Sequence, residues 1–105
     1  WQDNSVYMLG SFQAVELPES VALLNAYPNP FNPSTSINFE VPLDQDISIV
    51  IYNIQGKQVE SLVNKKIEAG YYSIEWNAAN YSSGIYFVKM ISENYVNTQK
   101  IILVK

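Results

Sequence analysis

Thr35-Ser36-Ile37-Asn38-Phe39-Glu40-Val41 sets Ile37, Phe39 and Val41 on one face and Ser36, Asn38 and Glu40 on the other, and stops at Pro42. An apolar residue at every second position is the signature of a half-buried strand, since successive side chains of extended backbone point to opposite faces. Ile47 to Ile54 follows, apolar at Ile47, Ile49, Val50, Ile51, Tyr52 and Ile54. Its short length and β-branched content predict a strand covered on both faces rather than a buried helix. Gln55-Gly56-Lys57 then places a glycine where a hairpin needs positive φ, and Gln58 to Val63 runs back.

Working outward, Lys65 and Lys66 read as an exposed connection and Ala69-Gly70 as a turn. Tyr71 to Trp76 alternates again, with Tyr72, Ile74 and Trp76 facing one way. Asn77 to Gly84 is a loop of Asn, Ser and Gly. Ile85 to Ile91 is the second strong strand, closed by a turn at Glu93-Asn94, and a last strand runs from Val96 to Val104. With a strand before Pro28 the count is about seven, spaced as in an antiparallel, immunoglobulin-like β-sandwich. Ile37, Phe39, Ile49, Ile51, Ile74, Trp76, Phe87 and Ile102 are the expected core. Residues 1–20 stand outside this spacing: Val6 to Phe12 is a possible strand and Glu16-Leu17-Pro18-Glu19-Ser20 an exposed connector. Residues 1–20 are therefore expected to be the tail of a preceding domain with its linker, and residues 21–105 the sandwich. The absence of an initiator Met supports the reading of a fragment.

Composition narrows the chemistry. A chain of 105 residues fits one domain. It contains no His, no Cys and no Arg. That removes Ser-His and Cys-His nucleophile pairs, Cys/His zinc sites, disulfides and arginine clamps on phosphate. A net charge of −4 argues against nucleic acid, which requires a basic stripe. No apolar run approaches the ~20 residues of a membrane helix, and no basic-then-apolar signal peptide opens the chain. Asp44 and Asp46 lie two apart, but calcium asks for about six to eight oxygens, so a solvated loop is the expected role. No catalytic residue, metal ligand or cofactor site is expected. Tyr71, Tyr81 and Tyr95 are candidates for a sugar-stacking platform, against the plainer reading that tyrosine simply suits strands.

The most distinctive segment is Tyr27-Pro28-Asn29-Pro30-Phe31-Asn32-Pro33-Ser34-Thr35. Its prolines exclude helix and remove ladder donors, and each pushes its predecessor toward extended geometry. The Asn side chains can bond nearby backbone. The segment reads as a stiff corner between sheets, anchored by Phe31.

This stretch, followed by Ile37-Asn38-Phe39, resembles the opening of type A C-terminal sorting domains of the type IX secretion system of Bacteroidetes and related bacteria. Ile51-Tyr52-Asn53 with Gly56 and Val59, Ala69-Gly70, Trp76-Asn77, Ser83-Gly84-Ile85-Tyr86-Phe87-Val88-Lys89 and Lys100-Ile101-Ile102-Leu103-Val104-Lys105 fall in that family's order. The resemblance covers about Leu17 to the end. It departs at Ala26, where an Asn often precedes the motif, and at Tyr72, where His is frequent. The same features are more loosely similar to the immunoglobulin-like domain of the flagellar hook-capping protein, whose loop after the Trp is usually longer.

The resemblance implies a non-enzymatic address that carries a covalently linked N-terminal cargo from the periplasm through the outer-membrane translocon. A sorting peptidase then removes the address, leaving the cargo secreted or on the cell surface. It implies that the address is read at Tyr27, Pro28, Asn29, Pro30 and Phe31, at Gly84, Ile85 and Tyr86, and at Lys100, Ile101, Ile102, Leu103, Val104 and Lys105. Lys100 and Lys105 are expected to rest their stems on the surface with both ammonium groups in water. Cleavage is expected between about Gln13 and Asn25. The alternatives are a structural or carbohydrate-binding module, or a hook-capping-like assembly domain.

Overall fold

The computed structural model describes residues 17–105; Val6 to Phe12, the possible extra strand, lies outside them. The described residues form seven strands: β1 (Ala22–Leu23), β2 (Ser34–Val41), β3 (Gln45–Asn53), β4 (Gln58–Ile67), β5 (Gly70–Asn77), β6 (Gly84–Ile91) and β7 (Val96–Leu103). They make two antiparallel sheets, ordered β1-β2-β5 and β4-β3-β6-β7. The chain changes sheet between β2 and β3, between β4 and β5, and again between β5 and β6. These crossings lay one apolar face on another, as in an immunoglobulin-like sandwich.

The alternation in β2 is realised fully: Ile37, Phe39 and Val41 are buried, and Val41 ends the strand before Pro42. Across the ladder Thr35 faces Trp76, Ile37 faces Ile74 and Phe39 faces Tyr72, so β5 contributes the side predicted for it. Tyr72 stacks on Phe39 with ring centroids 5.1 Å apart. The opposing sheet supplies Ile47, Ile49, Ile51, Val63, Tyr86, Val88, Met90, Ile101 and Leu103 to the same core. Each such side chain contributes roughly 1.5–3 kcal/mol of burial free energy, which offsets the entropy of ordering the chain.

Three local expectations are corrected. Lys65 and Lys66 are exposed, but they are strand residues of β4, opposite Ile47 and Asp46. Ile54 lies beyond β3 in the hairpin turn and is exposed. Phe87 and Ile102 are not core: in β6 the buried set is Tyr86, Val88 and Met90, and in β7 it is Ile101 and Leu103. Both strands are apolar on two faces near these positions, so period two is present without a polar face to set its phase. Ile74 faces inward but is half-buried, because β5 is an edge strand.

The β3–β4 hairpin closes as its glycine implied. Gly56 has φ 83°. Asn53 organises the turn: its Oδ1 accepts the N–H groups of Gln55 and Lys57, each at 3.0 Å. A side-chain oxygen here does what a further backbone carbonyl would do in a longer loop.

Candidate functional site: the proline corner and the terminal strand

The residues singled out at 27–31, 84–86 and 100–105 are far apart in sequence and meet at one end of the sandwich. After β1 the chain leaves its sheet and runs beside β7, parallel to it. Tyr27 still belongs to the first sheet, exchanging backbone hydrogen bonds with Ser36 at 3.1 and 2.9 Å. Four residues later Phe31 belongs to the second, donating to Ile102 O and accepting from the Val104 N–H, both at 2.9 Å. The proline corner thus fastens the two sheets together.

Pro28 and Pro30 cannot donate to β7, since proline has no N–H. Asn29, between them, supplies the missing partners from its side chain. Its Nδ2 donates to Lys100 O and its Oδ1 accepts the Ile102 N–H, each at 3.0 Å. The carboxamide has the donor and acceptor of a peptide unit and takes the place of one. Gln99 makes the reverse contact, its Nε2 donating to Leu24 O at 2.7 Å while its Oε1 accepts the Ala26 N–H. Farther back, the Leu23 N–H donates to the Tyr95 hydroxyl at 3.0 Å. Thr35, a buried polar side chain, holds the corner from within by donating to Pro28 O at 2.7 Å.

Beneath the corner lies an aromatic cluster. Trp76 is 5.7 Å from Phe31 and 5.5 Å from each of Tyr81 and Tyr86, ring centroid to centroid, in tilted or edge-on arrangements that suit the ring quadrupoles. Glu60 Oε1 accepts from Trp76 Nε1 at 3.0 Å and lies 3.0 Å from the Tyr81 hydroxyl, which also reaches Val59 O. Burial, and then the hydrogen bond and negative charge of Glu60, push the Tyr81 phenol above its ordinary value. Tyr86 donates to Ser82 O at 2.7 Å, and so ties β6 to the loop before it. Gly84, which opens β6, has φ 152°, a backbone conformation that L side chains rarely adopt.

Lys105 departs from its expected role. Its ammonium donates to Ala79 O at 2.6 Å and Tyr81 O at 2.8 Å, and its backbone N–H donates to Ser83 Oγ at 3.1 Å. The terminal residue therefore clips the loop between β5 and β6. Lys100 is exposed, as expected.

The singled-out residues divide by side-chain direction. Phe31, Tyr86, Ile101 and Leu103 are core; Tyr27 and Val104 are exposed; Ile85 and Ile102 are partly covered on the opposite face of the sheet. Sequence reading placed Thr35 in the corner segment without its buried hydrogen bond, and missed Gln99 and Glu60. Thr35 carried a usable signal, as a polar residue in phase with Ile37, Phe39 and Val41.

The sugar-platform residues do not gather. Tyr71 is exposed on β5, Tyr81 sits against Trp76, and Tyr95 lies in the β6–β7 turn, bonded to the Leu23 N–H. Asp44 Oδ1 accepts the Ala69 N–H at 2.9 Å, which gives it a turn-closing role. Among the described residues no group of three His, Cys, Asp or Glu is placed to hold a metal ion.

The chain matches a protein-family model described as the secretion system C-terminal sorting domain, over residues 25–105. The match bears out the resemblance at the level of the sorting-domain family and spans the corner, the Gly84–Tyr86 segment and the terminal strand. No curated protein matches the chain.

Proposed function

The chain belongs to the family of secretion system C-terminal sorting domains, and from that premise we propose that residues 21–105 act as the export address of a cargo joined at their N-terminal side. The family is one of sorting signals for the type IX machinery, not of catalysts. The finer reading is that the cargo waits in the periplasm, crosses the outer membrane through the translocon, and is secreted or held at the cell surface once a sorting peptidase has cut the address away. The ordered motif supports a type A reading within the family, with a looser sequence likeness to the hook-capping immunoglobulin-like domain. In this reading the domain is ligand and substrate.

One observation carries the reading: the three separated motif segments converge on one end of the fold and are bonded to each other there. A sandwich needs no such convergence to be stable; a surface read as a unit does. The same contacts support a cleavage window at the N-terminal side. Ala22 and Leu23 are paired with Glu40 and Phe39, and the Leu24 N–H donates to Asn38 O, so backbone from Ala22 onward is held. Pro18 is buried, but Leu17, Glu19 and Ser20 are exposed outside any strand. A peptidase binding extended, free backbone finds it before Val21, within the N-terminal part of the 13–25 window.

The test is a fusion of the full 105-residue chain to a periplasm-targeted reporter in a bacterium with a working type IX system. Export with the domain and retention without it are expected, with the released reporter ending before Val21 by mass spectrometry. Equal export of the reporter without the domain rejects the address. A new terminus inside Ile37 to Val104 rejects the cleavage assignment.

A further inference from the structure

The face of the β4-β3-β6-β7 sheet turned away from the core is unlike the rest of this acidic chain. Its rows follow from the registers. Ile85 stands opposite Ile102; Phe87 stands between Tyr52 and Lys100; Lys89 stands between Val50 and Thr98. On β4 the rows continue into Gln58, opposite Tyr52, and Ser61, opposite Val50. These rows contain no carboxylate, yet they hold two of the six lysines of a chain with net charge −4. Beyond them the same face continues through Ile91 and Val96, 37% and 61% exposed, beside Ser48 and Asn64, and its first carboxylate is Asp46, opposite Lys66, at the far end of β3. Ile85, Phe87 and Ile102 are absent from the core cluster and its packed fringe. Side chains of this size on an outer sheet face, beside fixed positive charge, mark a binding surface more often than a solvated one.

We propose that this face, centred on Phe87 and flanked by Lys89 and Lys100, is the surface by which the address docks on its receptor, a protein presenting apolar side chains bordered by carboxylates. The inference rests on the export reading and adds to it Tyr52, Phe87 and Lys89, outside the residues first singled out on β6 and β7. Charge selects the occupant. A second copy of this face would bring Lys89 and Lys100 against lysines, a like-charge juxtaposition that opposes association. An anionic lipid surface calls for clusters of about four to eight basic residues, and the overall negative charge of the chain repels it. A protein with carboxylates around an apolar ridge satisfies both the lysines and the rings, and electrostatic complementarity of this kind sets encounter and selectivity.

The decisive variant is Lys89→Glu with Lys100→Glu in the reporter fusion, beside Lys57→Glu with Lys65→Glu as a control of equal charge change away from the central rows. Export lowered at least ten-fold by the first pair, with the reporter kept in the periplasm and the melting temperature within a few degrees of the parent, is the expected result. The control pair is expected to export normally. Should Lys89→Glu/Lys100→Glu unfold the domain, Phe87→Thr, which keeps a strand-compatible side chain, is read by the same criteria. A parent fusion that is not exported above the domain-less reporter overturns the export reading itself. Parent and face variant exported alike, or face and control variants failing alike, overturns the docking face while leaving the address intact. Two further measurements exclude the other occupants. Binding of the parent to phosphatidylglycerol vesicles that is lost in the face variant assigns the face to lipid, and a concentration-dependent dimer of the parent lost in that variant assigns it to a second copy; either overturns the protein receptor.

Discussion

Asn29 and Gln99 each reach across to the other's segment and close it with a carboxamide. Asn29 bridges Lys100 O and the Ile102 N–H of β7, and Gln99 bridges Leu24 O and the Ala26 N–H of the incoming chain. Two side chains thus extend a parallel pairing that prolines would otherwise interrupt. They also cover the outer edge of β7, an exposed strand edge being a template for unwanted pairing.

Asn29→Ala removes two hydrogen bonds worth roughly 0.5–1.5 kcal/mol each, so a loss of about 1–3 kcal/mol is expected, or several degrees in melting temperature. Asn29→Asp should be no better, because it keeps the acceptor for Ile102 but sets a carboxylate against Lys100 O. Amide hydrogen exchange is the sharper measurement. Ile102 should exchange faster in Asn29→Ala, and unchanged protection at Ile102 in that variant would show that Asn29 is not holding the strand.

Gln99→Ala should act on the opposite side of the clasp, speeding exchange at Ala26 with a smaller effect at Ile102. Because both carboxamides hold one segment against one strand, their effects should not add. Strict additivity in the double variant would mean that the two clasps work independently.

Trp76→Ala is expected to cost about 3–5 kcal/mol through loss of a large buried side chain, since Trp76 is 1% exposed. Glu60→Ala leaves the indole N–H without its acceptor, at about 1–3 kcal/mol, whereas Glu60→Gln keeps an oxygen there and should cost less. Urea unfolding followed by far-ultraviolet circular dichroism, which does not depend on Trp76, ranks the three. A Glu60→Gln variant as unstable as Glu60→Ala would assign the effect to charge rather than to the hydrogen bond.

Lys100 and Lys105 should separate. Lys105→Ala frees Ala79 O and Tyr81 O and should lower stability by about 1 kcal/mol, with faster proteolysis of the 78–83 loop. Lys100→Ala, at an exposed position, should stay within about 0.5 kcal/mol. Its consequence is expected in export. Equal melting temperatures for the two variants would remove the structural role given to Lys105.

Tyr81 makes stability fall at alkaline pH. Its phenol loses its proton less readily in the folded chain than in the unfolded one, because burial and Glu60 disfavour the phenolate. The folded state therefore holds the proton more tightly. The stability linked to it is complete below the unfolded value near 10.0 and is lost as pH rises through the higher folded value. Tyr81→Phe should flatten this part of the decline in pH-dependent denaturant melts. An identical alkaline slope in both proteins would place the titration elsewhere among the tyrosines.

The strands were legible wherever polar and apolar residues alternate. Thr35 to Val41 and Tyr71 to Trp76 carry both the element and its inward face, because a one-residue slip would expose the whole apolar set. Ile85 to Val88 and Ile101 to Val104 carry only the element. With apolar residues on both faces, nothing local distinguishes Phe87 from Tyr86 or Ile102 from Ile101, and the opposing sheet makes the choice by packing Tyr86 against Trp76. The corner divides in the same way. Prolines fix the stiffness of residues 27–33 through their own φ and missing donors, so that much is written in the chain. The partners of Asn29, Gln99 and Lys105 lie more than twenty residues away in sequence, and a side chain's hydrogen bonds at such range are decided only when the sheets dock and bring the two segments within 3 Å.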